Sequence, residues 1–318
     1  MKLFLLLLLF IFAPGSQKAQ DSANIKKYTS HAILAEPNNY SKRIKWVAAG
    51  NLAAYGGTMV ALYATWYKNY PQSNFHFFND NKEWLQVDKA GHFWSAYTEG
   101  RLSIELWRWA GLMPNKAIWV GGLSGLAYQS IIEVLDGFSA EWGFSWGDYT
   151  ANTAGTALLI AQELGWKEQR IILKFSSHRN GYGNDVLNKR AHEIYGNGLP
   201  ERILKDYNAQ TYWVSMNIKS FFINSNVPAW LNIAAGYGAD GMFGAVTNQW
   251  TDKNGIHNDR TDIKRYRRWY IAPDIDLTKI KTKNKFLKTG LFLLNSLKFP
   301  TPSVEFSGNK LKWNWFHF

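Results

Sequence analysis

From 46 to 67 the chain carries no charged residue (WVAAGNLAAYGGTMVALYATWY); Lys42, Arg43 and Lys45 precede it and Lys68 follows. Aromatic ends and basic flanks around that length predict a helix that spans a membrane or lies buried in a large bundle. Ala53, Gly57 and Ala61 recur every four residues, a small face that admits a close helix. A second helix is predicted from about Val87 to Ala110, with Asp88, His92, Ser95 and Glu99 on one face. Farther along it, Arg101, Glu105 and Arg108 are spaced for local ion pairs. A third runs from Pro114 to Asp136; it holds Gly121-x-x-x-Gly125 and then Gln129, Glu133 and Asp136 on one face. A fourth spans about Gly147 to Gly165, with Asp148 in the first turn and Asn152 one turn on.

Past Lys167 the period changes. Residues 176–209 are polar and rich in Gly and Asn, the texture of a linker with one or two short helices. Four alternating stretches follow. Tyr212, Val214, Met216 and Ile218 share one face of the first, and Trp230 to Gly244 is a Gly-rich second. Trp269, Ile271, Ile275 and Leu277 share a face of the third, and Leu311, Trp313 and Trp315 of the last. The Trp269 face is expected to be buried against a helix or lipid. A terminal Phe318 after an alternating strand is usual in outer-membrane barrels, but four strands are too few for one. Between the last two strands, Lys279, Lys281, Lys283, Lys285 and Lys288 lead into Leu287, Leu291, Leu294 and Leu297. A basic amphipathic helix is expected near 279–299, lying on an anionic membrane or on the core.

Composition adds an address. Lys2, the apolar run Leu3 to Ala13 and the small residues up to Ala19 predict a secretory signal over 1–19. Of the net charge of +12, residues 1–166 hold 13 Lys/Arg against 12 Asp/Glu, and residues 167–318 hold 23 against 12. A basic half points to an anionic surface. Export removes nucleic acid and leaves anionic lipid head groups. Aromatic residues reach 16%, a content suited to membrane–water interfaces. There is no cysteine, which excludes disulfides, thiolate metal sites, a cysteine nucleophile and a lipidated cysteine within these residues.

Polar groups spaced by helical turns inside apolar helices are costly unless they meet. The expected cluster has Asp88, Lys89 and His92 from the second helix, Glu133 and Asp136 from the third, and Asp148 with Asn152 from the fourth. It reads either as a structural network in which Lys89 neutralises a carboxylate or as a binding or acid–base site. His92, Glu133, Asp136 and Asp148 would be its metal ligands. No Ser-His-Asp order, phosphate loop or H-E-x-x-H motif accompanies it.

DKAGHF at 88–93, EVLDGFSAEWGFSWGD at 133–148 and the N-x-x-G of Asn152 to Gly155 resemble the DUF2279 family of bacterial envelope proteins. The order D-K-x-x-H, Glu, D-x-x-x-N-x-x-G also resembles the VanZ-like membrane proteins. The first resemblance covers about residues 40–175 and implies a cell-envelope location, on the outer membrane or facing the periplasm. Neither implies a mechanism.

The expectation is therefore an α+β chain. A four-helix bundle over 40–175, membrane-embedded or membrane-docked, is followed by a linker over 176–209 and a small antiparallel β-region over 210–318. Its role is structural or that of an assembly partner, with no cofactor predicted. Its partners are membrane lipid and another envelope protein. The alternative is an enzyme or binding protein for a lipid-linked envelope substrate.

Overall fold

The computed structural model describes residues 40–65, 67, 71–178 and 180–317. The expected signal over 1–19, together with Trp66, Lys68 and Phe318, lies outside the described residues. The fold is α+β, a helical region followed by an antiparallel sheet. Two compact units share the chain. One takes the residues up to Phe77 with Ala96–Phe144 and Thr156–Glu168; the other takes Phe78–Ser95, Ser145–Gly155 and everything from Gln169 on.

The first unit contains α1 (Tyr40–Thr65), most of α2 (Val87–Ala110), all of α3 (Pro114–Asp136) and the later part of α4 (Trp146–Gly165). The glycines of α3 set its packing. A Cβ at Gly121 would stand 2.5 Å from the backbone nitrogen of Ile104, and one at Gly125 only 2.2 Å from the carbonyl oxygen of Ala96. The Gly-x-x-x-Gly spacing thus lets α3 lie backbone to backbone on α2, as small faces do. Arg108 forms the expected ion pair with Glu105 at 2.7 Å and a further one with Glu163 of α4.

α1 anchors through Val47, which packs on Trp107, Ala110 and Ala117. Tyr55 adds a bond to Ser124 and a ring contact with Tyr128, while Trp46, Leu52, Val60 and Tyr63 are exposed. At Gly57, in the middle of the small face expected to admit a close helix, a Cβ would find nothing within 4 Å. Among the described residues, the helix long and apolar enough to cross a membrane is α3, by length and composition only. The many Ala and Gly of α1 keep its hydropathy lower.

The second unit is built on six antiparallel strands: β1 (Ile171–Ser177), β2 (Gln210–Asn217), β3 (Leu231–Asp240), β6 (Tyr266–Ile275), β7 (Thr301–Ser307) and β8 (Lys310–His317), neighbours in that order. A hairpin of β4 (Gln249–Thr251) and β5 (His257–Asp259) stands apart. Four stretches were expected; β1 and β7 are the additions. β1 opens with IILKF, a short apolar run whose period does not separate strand from helix. Residues 176–209 supply two short helices, α5 (Asp185–Tyr195) and α6 (Leu199–Lys205). They are packed: Tyr182, Leu187, Ala191 and Tyr195 share a core with Phe243 and Trp250.

The register aligns apolar residues in rows across the sheet. Val214, Ala235, Ile271, Val304 and Trp313 stand directly opposite one another on successive strands. So do Tyr212, Tyr237, Trp269, Phe306 and Leu311. Part of this face is covered by α2, where Trp94 packs on Phe175 and Tyr212. The rest is open, with Trp269 52% and Ile271 60% exposed. The expected burial of the Trp269 face against a helix is therefore not what the chain builds. Ile218 and Leu277 fall just past the ends of their strands, in helical turns.

The buried side of the sheet packs Trp213, Ala234, Tyr270 and Ala272 beside a polar network. Lys174 reaches Asp274 at 2.8 Å, Ser215 donates to the same carboxylate at 2.6 Å, Asn232 donates to Ser215 at 2.8 Å and Asn217 donates to Asn232 at 2.7 Å. The sheet curls over these groups. The outer edge of β1 pairs at Phe175 with Leu297, just before β7, and His317 of β8 stacks on Tyr270 at 4.0 Å. α7 (Lys285–Leu294), capped by Asn284, is the helical part of the 279–299 segment. No residue of it is buried, and Phe286, Leu287, Leu293 and Leu294 are exposed.

Candidate polar site at the start of helix α2

A strained turn aims the site. Trp84, Leu85 and Gln86 all have positive φ, a left-handed run without glycine that costs roughly 1–2 kcal/mol per residue. Tertiary bonds hold it there. The Trp84 amide donates to Ala245 O at 2.7 Å, the Tyr237 hydroxyl donates to Leu85 O, and Arg267 donates to Gln86 Oε1 at 2.5 Å. Helix α2 starts at the next residue, so Asp88 lies in its first turn, where a carboxylate suits the helix dipole.

Lys89 is the centre of the cluster. Its ammonium lies 2.6 Å from Asp80, 2.7 Å from Asp148 and 3.6 Å from Asp88. His92, one turn on, places Nε2 3.9 Å from Asp88 and 3.8 Å from Asp148, and its Nδ1 lies 3.2 Å from Asn152 Oδ1. The outer ring of partners is hydroxyls: Tyr207 donates to Asp88 at 2.7 Å and Ser145 to Asp80 at 2.6 Å. The Asp148 amide in turn donates to Ser145 Oγ at 3.1 Å.

Two glycines allow this convergence. A Cβ at Gly155 would stand 2.2 Å from the Phe93 carbonyl oxygen, so the N-x-x-G of α4 brings Asn152 beside His92 by backbone contact. A Cβ at Gly147 would stand 2.4 Å from Asn81 Oδ1 and 2.9 Å from Lys89 Cε.

Charge in the site is mutually held. Burial works to lower the Lys89 pKa, but the carboxylates of Asp88 and Asp148 outweigh it and raise it above the ordinary lysine value. Burial likewise works to raise Asp80, and hydrogen bonds involving Asp148, Lys89 and Ser145 outweigh it and hold the carboxyl below its usual range. Burial, with the Asp88 charge beside it, pushes the Tyr207 hydroxyl well above its ordinary value, so Tyr207 is a donor at neutral pH.

Of the seven residues expected to cluster, Asp88, Lys89, His92, Asp148 and Asn152 come together. Glu133 and Asp136 belong to the other unit. Glu133 is buried there, and Asp136 accepts a 2.6 Å bond from the Tyr67 hydroxyl. Glu99, on the predicted polar face of α2, also lies in that unit and takes a 2.8 Å bond from Gln129. Asp80, Ser145 and Tyr207 were not foreseen. Asp80 and Ser145 sit in connecting segments without helical spacing, and Tyr207 is 119 residues from the carboxylate it binds.

Asp88, His92 and Asp148 each offer a ligand atom within 4.8 Å of the others, a set of the hard-metal type. The Lys89 ammonium already occupies the attraction that a cation would use.

Residues 76–162 match the model of the DUF2279 family, described as predicted periplasmic lipoprotein. The matched segment contains every member of the cluster except Tyr207. The 318 residues hold no cysteine, so the lipidation in that description has no acceptor among them. No curated protein and no solved structure matches the chain.

Proposed function

We propose that this DUF2279-containing chain is an exported cell-envelope protein held on a membrane through its own apolar surfaces, with a structural or assembly role. The observation that carries the reading is the orientation of the sheet, with polar Ser215, Asn232 and Asp274 buried and apolar Ile233, Trp269, Ile271 and Trp313 outside. That polarity suits a lipid boundary better than water. The exposed apolar residues Trp46, Leu52 and Val60 of α1 and those of α7 behind its lysines supply two more contacts of the same kind. The family's periplasmic description agrees with this address. The anionic head groups that would meet Lys281, Lys283 and Lys285 are the predicted lipid partner, and the helical region acts as a four-helix bundle at that membrane.

In this reading the cluster around Lys89 is a packing device. It fixes the approach of α2 and α4, and its three carboxylates share one ammonium. A second reading, acid–base or metal chemistry on a lipid-linked substrate, has one observation in its favour: the closeness of His92 to two carboxylates.

Fractionation of inner and outer membranes with an alkaline carbonate wash tests the first reading. The protein is expected to stay with the membrane pellet. Recovery in the soluble periplasmic fraction would overturn the membrane seat. Stoichiometric metal in the purified protein, lost in Asp148→Asn, would replace the packing role with the second reading.

A further inference from the structure

A cavity of about 260 Å³ lies in the second unit, away from the cluster, between the end of β1 and helices α5 and α6. Its lining is polar but carries little free charge. Asp206 is buried, accepts two bonds from the Tyr182 hydroxyl at 2.6 and 2.8 Å, and pairs with Arg202 at 2.9 Å. Arg202 spends its Nε on the Gly196 carbonyl at 2.7 Å. Among the described lining residues, Arg202 and Asp206 are thus committed to each other and to the wall.

The remaining polar groups are hydroxyls, amides and imidazoles. Ser177, His178, Asn188, His192 and Asn197 present hydroxyl, imidazole and amide groups to the space. His178 Nδ1 is buried without a hydrogen-bond partner in the protein. Burial, with the Arg268 charge second, holds His178 below the ordinary imidazole pKa, so its ring is uncharged at neutral pH. Helix α6 adds Leu199 and Ile203, an aliphatic patch in the same cavity.

Amides and hydroxyls both donate and accept, and each ligand hydroxyl does the same. A bare anion would find Arg202 already paired, and a cation would find Asp206 already paired. A ring bearing hydroxyls with an apolar C–H face matches both the hydroxyl and amide groups and the aliphatic patch. The volume lies just below the usual range for small-molecule pockets, about 300–1,000 Å³, which suits one ring and not a chain of them.

We propose that this cavity binds a neutral saccharide unit, a free monosaccharide or the terminal residue of a glycan. The assignment does not depend on the membrane reading.

Saturation-transfer NMR on the full chain tests it, with glucose, galactose, mannose and N-acetylglucosamine as probes beside glucuronate and inorganic phosphate. At least one neutral sugar is expected to show transfer. The His178→Ala variant should weaken its binding about tenfold or more, and Asp148→Asn, at the separate cluster, should leave it unchanged. Asn197→Ala, at the exposed rim, carries the same expectation if His178→Ala does not fold, and thermal melting identifies that case. Silence from all four neutral sugars would overturn the proposal. So would transfer confined to glucuronate or phosphate, or neutral-sugar binding that both cavity variants leave intact.

Discussion

The start of α2 and the curled sheet solve the same problem with opposite legibility. In each, a lysine sits inside the fold against carboxylate: Lys89 on Asp80, Asp88 and Asp148, and Lys174 on Asp274. On the helices the polar residues are few among apolar ones, so the cost of leaving them unpaired already says that they converge. On the strands polar and apolar residues alternate in equal number. Alternation says which residues share a face, but not which face meets the interior. The usual rule, apolar inside, misplaces Trp269, Ile271 and Trp313, which are exposed here. Pairing Asp274 with Lys174 and Ser215 is what makes these polar groups buriable.

That contrast predicts its largest effect at Asp274. Its side chain is 1% exposed and that of Lys174 fully buried. Asp274→Ala leaves that ammonium without a counter-charge and should lower stability by about 3–5 kcal/mol in chemical denaturation. A variant as stable as the parent would mean that the polar side is hydrated and the sheet is not inverted.

The helical cluster should give a smaller loss, because its lysine has spare partners. In Asp148→Asn, Lys89 keeps Asp80 at 2.6 Å and Asp88 at 3.6 Å. A loss of about 1–3 kcal/mol in the same assay is expected, the scale of a hydrogen bond to a charged group. A loss equal to that of Asp274→Ala would show that Asp80 and Asp88 do not substitute, and that the two regions are built alike.

How much of this was legible follows from the period of each element. The helices at 87–110 and 114–136 appear with the expected bounds, and the i, i+4 spacing of Asp88 with His92 and of Asp148 with Asn152 carried directly into contacts. Spacing along α3 equally placed Glu133 and Asp136 on one face, but nothing in spacing says which neighbour that face meets. Asp136 meets Tyr67. Asp80 and Ser145 carry no periodic signal, and Tyr207 joins only through tertiary structure. β7 was hidden because TPSVEFS carries a proline at its second position and alternates over few residues. The cavity at His178 was read as linker because its residues are the Gly and Asn of turns.

The sheet interior should also respond to pH in a way the helical cluster does not. Lys298 lies 3.7 Å from Asp274 and bonds Thr301 at 2.6 Å. Burial first, with the Lys174 charge adding to it, lowers its pKa from 10.5 to about 8. Below pH 8 both folded and unfolded chains hold this proton, so the destabilising effect is complete. Between about 8 and 10.5 the unfolded chain holds more protons, and stability from this group rises with pH. Lys298→Met should remove that alkaline rise in melting temperature and be the more stable protein at pH 7. An unchanged pH profile would place the titration elsewhere.

The smallest expected change in stability comes from the open side of the sheet, and it separates the two faces most sharply. Ile271 stands in the central row between Ala235 and Val304 and is 60% exposed. A lysine there leaves no cavity and buries no charge within the chain. The melting temperature in detergent should correspond to a change within about 0.5 kcal/mol, as for ordinary surface positions. Against a lipid boundary the same lysine is unfavourable by about 2–4 kcal/mol where it lies deep, and by less near head groups. Ile271→Lys should therefore fold normally yet shift from the membrane pellet toward the soluble fraction. A variant that unfolds would mean that this face is covered by protein, as the alternation alone led one to expect. A variant that folds and stays in the pellet would move the membrane contact off the sheet and onto α1 and α7.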